Sequence, residues 1–284
     1  MANFTLGGAA ADTDEVIAAY DALERRIWTG RAAAYAASFA RLCARPVPDL
    51  LDAAGVGPGT ALLDVGTGTG AVAAAACARG ARVTAVDAEP SMLTEARRNA
   101  PGAAVHAATL PELTFADRTF DAVVGNFVIN HVGRQRAAVA ELRRVLRPGG
   151  RLALTTWATP APRGQSLLGR AVEAAGAPRP AHLPPAPAAL QATGSPDGLT
   201  ALLAAAGLPD AHCRTLRWDH RTTVEEWWAG PAGRVAFIGE LLHHQTPEVR
   251  AGVRREFVRL AEEFRTADGA LALPHAALLV SARR

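Results

Sequence analysis

The stretch Leu62-Leu63-Asp64-Val65-Gly66-Thr67-Gly68-Thr69-Gly70 constrains the fold of this chain more than any other. Ala61 to Val65 is a short apolar run that reads as a buried strand, and Ala71 to Arg79 reads as a helix. Between them the glycines alternate with threonines. A strand that turns through glycine into a helix presents free N–H groups and the positive helix end to a ligand. Bare backbone there lets the ligand approach closely.

The rhythm continues beyond this turn. Arg82–Val86 reads as a second strand, Ser91–Asn99 as a helix, and Ala103–Ala107 as a weaker strand. Phe120–Val124 is a fourth strand and Arg134–Leu146 a helix, closed by Arg147-Pro148-Gly149-Gly150. Arg151–Trp157, Ala211–Arg221 and Ala270–Ala282 complete a set of seven strands. Strand–helix alternation predicts a doubly wound α/β fold, with a seven-stranded, mostly parallel sheet and helices on both faces.

Other segments are expected to cap this core. From Thr13 to Arg45, Ile17, Tyr20, Leu23 and Ile27 recur at helical spacing, and Tyr35, Phe39 and Leu42 repeat it. The expected organisation is a disordered N-terminus over 1–11, N-terminal cap helices over 12–58 and a cofactor-binding core over 59–157. Residues 158–198 hold eight prolines and read as a lid or mobile loop. Residues 199–284 return to the core, with a helical substrate-cap insertion at about 224–265.

Composition narrows the partners. Hydrophobic residues make up 49% of the chain, enough for a large core. The net charge is +3, and every basic residue is arginine. The densest group, Arg143, Arg144, Arg147 and Arg151, lies at a helix end, where the dipole favours cations. Nucleic-acid binding would want clustered cations with interleaved aromatics, so no nucleic acid is expected. No apolar run reaches the ~18–20 residues that span a bilayer. The start lacks a basic segment followed by an apolar block and a cleavage site. The expectation is a cytoplasmic protein with no membrane partner. Cys43, Cys77 and Cys213 are unpatterned, which suits neither a disulfide framework nor a metal site; no metal is expected.

The glycine turn with Ala71 also fits a GxGxxA dinucleotide pattern. Asp64, two residues before Gly66, argues against it: a carboxylate there repels a pyrophosphate and attracts a ligand bearing an ammonium and a sulfonium. Asp87 ends the second strand, about twenty residues on, where a carboxylate can accept both hydroxyls of a ribose. A dinucleotide fold would need a second mononucleotide half. The chain continues instead with Phe120-Asp121-Ala122-Val123-Val124-Gly125-Asn126 and Leu146-Arg147-Pro148-Gly149-Gly150.

Together, LLDVGTGTG, VTAVDAEPSML, LPELTFADRTFDAVVGNFVINHV and ELRRVLRPGGRLALTTW resemble the successive motifs of class I S-adenosylmethionine-dependent methyltransferases. The likeness is to the ubiquinone/menaquinone-biosynthesis-like branch of actinobacterial small-molecule metabolism. It is strong over residues 60–157 and looser over 12–59 and 200–284. The resemblance implies a Rossmann-like methyltransferase fold and S-adenosylmethionine as cofactor, leaving as S-adenosylhomocysteine. By that likeness, Gly66, Thr67, Gly68 and Gly70 line the methionine part and Asp64 acts near its amino group. Asp87 binds the ribose, and Ala88 and Met92 flank the adenine. Asn126 and Phe127 close over the cofactor, and Tyr35 covers it. The family often has an Asp four residues before the Leu of a Leu-Pro pair. Here that position is His106, so adenine recognition falls to His106 or to backbone near Ala108, Thr109 and Leu110.

His131 is the first candidate for a general base, and Asn130 for orienting a substrate. His243 and His244, with Glu240 one helical turn before, form a weaker candidate pair; adjacent histidines point to different helix faces, which rules out a metal. His220 with Asp219 reads as polar strand-end surface. One of Trp227 and Trp228 is expected to line an apolar substrate pocket. The function implied is methyl transfer to oxygen, nitrogen or carbon of a small molecule. A same-fold protein catalysing a cyclisation or decarboxylation is the alternative. The sequence leaves monomer and homodimer equally open.

Overall fold

Thr13 starts the first helix, α1 (Asp14–Trp28), its hydroxyl accepting from the Val16 N–H at 3.3 Å. A computed structural model describes residues 13–184 and 186–284. The expected disorder over 1–11 lies outside the described residues. Short helices α2 (Ala32–Ala36), α3 (Ala40–Ala44) and α4 (Val47–Ala53) follow. The core then runs β1 (Ala61–Val65), α5 (Ala71–Ala78), β2 (Arg82–Asp87), α6 (Pro90–Asn99), β3 (Ala104–Ala107) and β4 (Phe120–Asn126). A 3-10 turn at Ile129–His131 leads to α7 (Gln135–Val145) and β5 (Leu146–Trp157). After β5 come α8 (Leu167–Ala174), α9 (Ala188–Ala192), α10 (Pro196–Ala205), β6 (His212–Thr222), α11 (Val224–Ala232), α12 (Ala236–His243), α13 (Pro247–Ala261) and β7 (Leu271–Arg283).

The seven strands order as β3-β2-β1-β4-β5-β7-β6. β1 to β5 are parallel, and β7 runs antiparallel to β5 and β6. The chain moves outward from β1 through β2 and β3, then returns to place β4 on the other side of β1. That reversal opens a crevice between β1 and β4 at the carboxyl ends of the strands, where open α/β sheets bind ligands.

Alternate residues of each strand serve opposite faces of the sheet. Leu63 and Val65 of β1 join one buried cluster with Val123, Leu142 and Leu154. Leu62 joins the other, with Val72, Ala85, Ala122 and Val124. A third cluster holds the cap together, from Leu23 and Ile27 of α1 through Phe39, Leu167, Trp227 and Ile238 to Phe257.

Two expectations change in the structure. The motif Arg147–Gly150 does not separate helix from strand: β5 begins at Leu146, and the pairing with β4 jumps from Phe120↔Leu146 to Ala122↔Arg151. The intervening residues bulge, and the chain end holds them, with Gly149 N–H donating to Arg284 O and Arg284 N–H to Gly150 O. The segment 158–198 is not a featureless loop. Leu167, Leu168, Ala171 and Val172 bury one face of α8 against α13, and Ser195 caps α10. Pro187 and Pro196 stand at the starts of α9 and α10, where a proline costs no helical hydrogen bond. Two arginines of the densest basic group are paired: Arg144 with Asp117 at 2.6 Å and Glu141 at 2.7 Å, and Arg147, on β5, with Asp121 at 2.5 Å. No helix among the described residues is long and apolar enough to cross a membrane. All three cysteines are free.

Close packing at the end of β4 leaves no room for a side chain at Gly125. A Cβ there would lie 2.7 Å from Val128 Cγ1 and 2.9 Å from Leu154 Cδ2. Gly125→Ala is expected to lower the unfolding free energy by about 1–3 kcal/mol, read as an earlier urea midpoint. An unmoved midpoint would show that the strand end yields.

Candidate active site

β1 delivers Asp64 to the start of the glycine turn, and the turn folds over it. Asp64 is fully buried, and its Oδ2 accepts from Thr67 Oγ1 at 2.6 Å. Its Oδ1 has no protein partner. Burial pushes the Asp64 carboxyl up to about 7, with the Thr67 hydrogen bond opposing and the charge of Asp87 adding to the rise. Gly66 sits at φ 64, and a Cβ on it would come within 2.3 Å of the Val128 side chain. Only glycine fits that bend. Thr67 also donates its N–H to Val86 O at 3.0 Å, which ties the turn to β2.

The tip of β2 supplies Asp87. Gly68 N–H donates to its Oδ2 at 2.8 Å, and Glu89 N–H donates to its Oδ1 at 2.9 Å. Burial raises the Asp87 pKa, and these donors oppose the rise. Glu89 caps α6 through Met92 N–H at 2.9 Å and accepts from Gly30 N–H at 3.1 Å. Burial pushes Glu89 up, but hydrogen bonds from Ser91, Gly30 and Met92 outweigh it and hold the group below the usual glutamate range. Glu89 thus fastens the loop after α1 to the β2 side of the site.

These groups open onto a cavity of about 410 Å³. Gly66, Gly68, Asp87, Ala88 and Met92 line it from the glycine-turn side, with Ala108, Thr109 and Leu110 from the loop after β3. Asn126, Phe127 and His131 line it from the β4 end, and Tyr35 from the cap. Asp64, Thr67, Gly70 and Asn130 are not among the lining residues. Asp64 and Thr67 lie beneath the wall and hold its shape. Gly70 (φ 88) starts α5, and a Cβ on it would come 2.9 Å from Ala96 Cα, so it serves the packing of α5 on α6. His106 is exposed on β3 and is not among the lining residues either. Asn126 uses its amide to join α3 to β5, donating to Cys43 O at 2.7 Å and accepting from Thr155 Oγ1 at 2.7 Å.

Phe127 takes φ 54, uncommon for an aromatic residue. Thr155 Oγ1 holds that conformation by accepting from the Phe127 N–H at 2.9 Å. The ring is thereby laid on Trp157, with centroids 4.0 Å apart and planes 20° from parallel. Phe39, Trp157, Leu168, Trp227 and Ile238 make the rest of this side apolar and aromatic. Of the adjacent tryptophans, Trp227 faces the cavity and Trp228 packs on Phe257. His220 is not surface: it lies buried beside Trp227 and His275, and burial pushes it down to about 4. Glu240 is held by Arg234 at 2.8 Å and His244 at 3.1 Å, and none of the three is among the lining residues.

At the β4 end, His131 Nδ1 lies 2.8 Å from Glu24 Oε2, and His131 Nε2 lies 3.0 Å from Asn130 Nδ2. Trp28 donates its indole N–H to the same Glu24 oxygen at 3.2 Å and stands edge-on to the imidazole. Glu24, Trp28, Glu89, Trp157 and Gln165 all line the cavity, and sequence reasoning passed over each as a site residue. For Glu24 a signal existed: a carboxylate on the apolar stripe of α1, beside Leu23 and Ile27. The others became visible only when the cap closed on the core.

Three comparisons bear on this site. A family model described as a methyltransferase domain matches residues 63–154. A demethylmenaquinone methyltransferase of Beutenbergia cavernae is 39% identical over 110 residues, which is 39% of this chain and 46% of that protein. This chain therefore spans about half the length of the demethylmenaquinone methyltransferases it matches. An uncharacterized protein of Mycobacterium tuberculosis is 30% identical over 239 residues, 79% of this chain and 82% of that protein. Among solved structures, the [4+2]-cyclase SpnF shares the fold at a TM-score of 0.52 and 20% identity, covering 98% of this chain and 97% of its own.

An acid whose pKa is higher folded than unfolded keeps a proton that the unfolded chain releases. Stability then falls as pH climbs from the ordinary aspartate value of 3.8 towards about 7. Asp64→Asn keeps an oxygen for Thr67 and removes the ionisation. It is expected to flatten that decline and to exceed the wild type in stability at pH 8. Urea unfolding at pH 5 and pH 8 measures both, and an unchanged pH slope would contradict the assignment.

Proposed function

We propose that this chain is a class I S-adenosylmethionine-dependent methyltransferase, on the menaquinone-like branch, and that it transfers a methyl group to a small molecule bound in the capped cavity; the methyltransferase-domain match over 63–154 and the 39% identity to a demethylmenaquinone methyltransferase support this reading. The observation that carries this reading is the pair of carboxylates, Asp64 and Asp87, set at the tips of neighbouring strands around a glycine turn. A cationic adenosyl ligand suits that pair, and a pyrophosphate does not. The unpartnered Oδ1 of Asp64, buried beneath the wall, leaves one acceptor free to serve an ammonium through water. Asp87 keeps lone pairs for ribose hydroxyls beside its two backbone donors. Ala88 and Met92 offer apolar contact to an adenine, and the backbone at Ala108–Leu110 offers its polar edge. These residues fit S-adenosylmethionine, which when bound supplies a methyl group already activated on a sulfonium.

The rest of the cavity takes the acceptor. The apolar and aromatic wall of Phe39, Phe127, Trp157 and Trp227 favours an apolar molecule. The enzyme's main contribution is then alignment, worth up to about 7–11 kcal/mol in well-oriented cases. His131, at the same cavity, serves as general base where the acceptor must lose a proton. We read the helices over 13–58, the segment 158–198 and the helices within 224–265 as one cap that excludes water from the transfer. The relatives named demethylmenaquinone methyltransferases support methyl transfer to a ring compound as one form of this chemistry.

Asp87→Ala is expected to weaken S-adenosylhomocysteine binding by about 1–3 kcal/mol, as charge-assisted hydrogen bonds are lost. Calorimetry of both proteins measures the difference, and equal affinities would remove Asp87 from the cofactor site. Incubation with methyl-labelled S-adenosylmethionine and a metabolite panel tests the activity itself. Product formed without label would favour a cyclisation or decarboxylation on the same fold.

A further inference from the structure

We infer that Glu24 is a positioning residue that holds His131 with its hydrogen on Nδ1, so that Nε2 receives the proton of a hydroxyl-bearing acceptor. The assignment of the acceptor class rests on the methyltransferase reading; the assignment of the tautomer does not.

Glu24 lies on α1 and is only 7% exposed. Its Oε2 meets two ring nitrogens, Trp28 Nε1 at 3.2 Å and His131 Nδ1 at 2.8 Å. An indole N–H can only donate, so Trp28 fixes this oxygen as an acceptor. The nitrogen facing the same oxygen must then carry hydrogen, because an Nδ1 lone pair would face a carboxylate lone pair. The Nε2 lone pair is left towards Asn130, whose Nδ2 donates to it at 3.0 Å. The backbone around His131 is fixed on both sides by the same helix. Tyr20 Oη donates to Asn130 O at 2.8 Å, and Gly133 N–H donates to Asp21 Oδ1 at 2.7 Å. The T-shaped contact with Trp28, at 5.3 Å, sets the plane of the imidazole.

Asn130 makes the arrangement responsive to a ligand. Its Oδ1 is buried without a partner, so its amide is held mainly through Nδ2. An acceptor O–H can replace that N–H on Nε2 when the amide turns aside. The O–H bond then breaks, its electron pair stays on oxygen, and the proton resides on Nε2. The imidazolium so formed donates through Nδ1 to the Glu24 carboxylate. A neutral amine already has a free lone pair and needs no such preparation. A phenolic or enolic hydroxyl becomes a strong nucleophile only when its proton leaves. The geometry therefore suits acceptors of that class.

Long-range ¹H–¹⁵N spectra of the full chain labelled at histidine report the tautomer directly, with His131 assigned from His131→Asn. The wild type is expected to show Nδ1 protonated and Nε2 bare. Glu24→Gln keeps an acceptor oxygen and should retain that signature, whereas Glu24→Ala should shift the hydrogen towards Nε2. A wild-type His131 protonated on Nε2, or a tautomer unmoved in Glu24→Ala, overturns the positioning role; the wild-type result decides even if the Ala variant fails to fold. With S-adenosylhomocysteine present, 1-naphthol should move the His131 Nε2 resonance and 1-methoxynaphthalene should not. Equal responses, or none, overturn the hydroxyl assignment. Calorimetric titration of S-adenosylhomocysteine into the same sample judges the methyltransferase reading separately: absence of binding ends that reading and leaves the tautomer result standing.

Discussion

A buried carboxylate under the first glycine turn fixes the geometry on which the rest of the site depends. Asp64 is out of water at the tip of β1, and its carboxyl accepts a hydrogen bond from Thr67 inside the turn it supports. The same turn donates its Gly68 N–H to Asp87, so the tips of β1 and β2 are joined through one loop. Two acidic groups are thus held close together before any ligand arrives. Burial makes both reluctant to ionise, with the Asp87 charge adding to the rise at Asp64 and the Glu89 charge adding to the rise at Asp87.

The cap uses a different kind of contact. α1 does not simply cover the cavity with apolar residues. Leu23 and Ile27 join the cap core, while Tyr20, Asp21, Glu24 and Trp28 each reach the segment 130–133 after β4. One helix face therefore both packs and sets side-chain chemistry. On the other side, Gly30 N–H donates to Glu89, which also caps α6. The loop after α1 is tied to the wall of the cavity that faces Asp87, and the helix itself to the wall that holds His131. A shift of α1 would disturb both walls together.

The two ends of the cavity differ in polarity. The glycine-turn end carries Asp87, Glu89 and exposed backbone, and suits a polar adenosyl group. The far end is built from Phe127, Trp157, Trp227 and their apolar neighbours. The strained backbone at Phe127 links the two, since the residue that leaves β4 also lays its ring on Trp157. Strain of this kind persists where surrounding contacts over-determine it, and here the Thr155 hydroxyl and the stacked indole do so.

The sequence by itself determined the α/β core. Short apolar strands, Ala-rich helices and the glycine turn are local patterns, and each names its own element and its neighbours in order. It also determined Gly66, Gly68 and Asp87, because a tight turn and a strand-tip acid leave a mark within a few residues. The path of the chain through 147–150 is not legible locally, since a Pro-Gly-Gly stop looks the same whether it ends an element or bulges within one. The place of Gln165 and Trp157 in the wall, the partner of Glu24 and the burial of His220 came only from tertiary structure. Their partners are distant along the chain: Glu24 meets His131, Gln165 meets Ala276, and His220 meets His275. No local pattern encodes such meetings, because they depend on how helices far apart in the chain pack against the sheet and against one another.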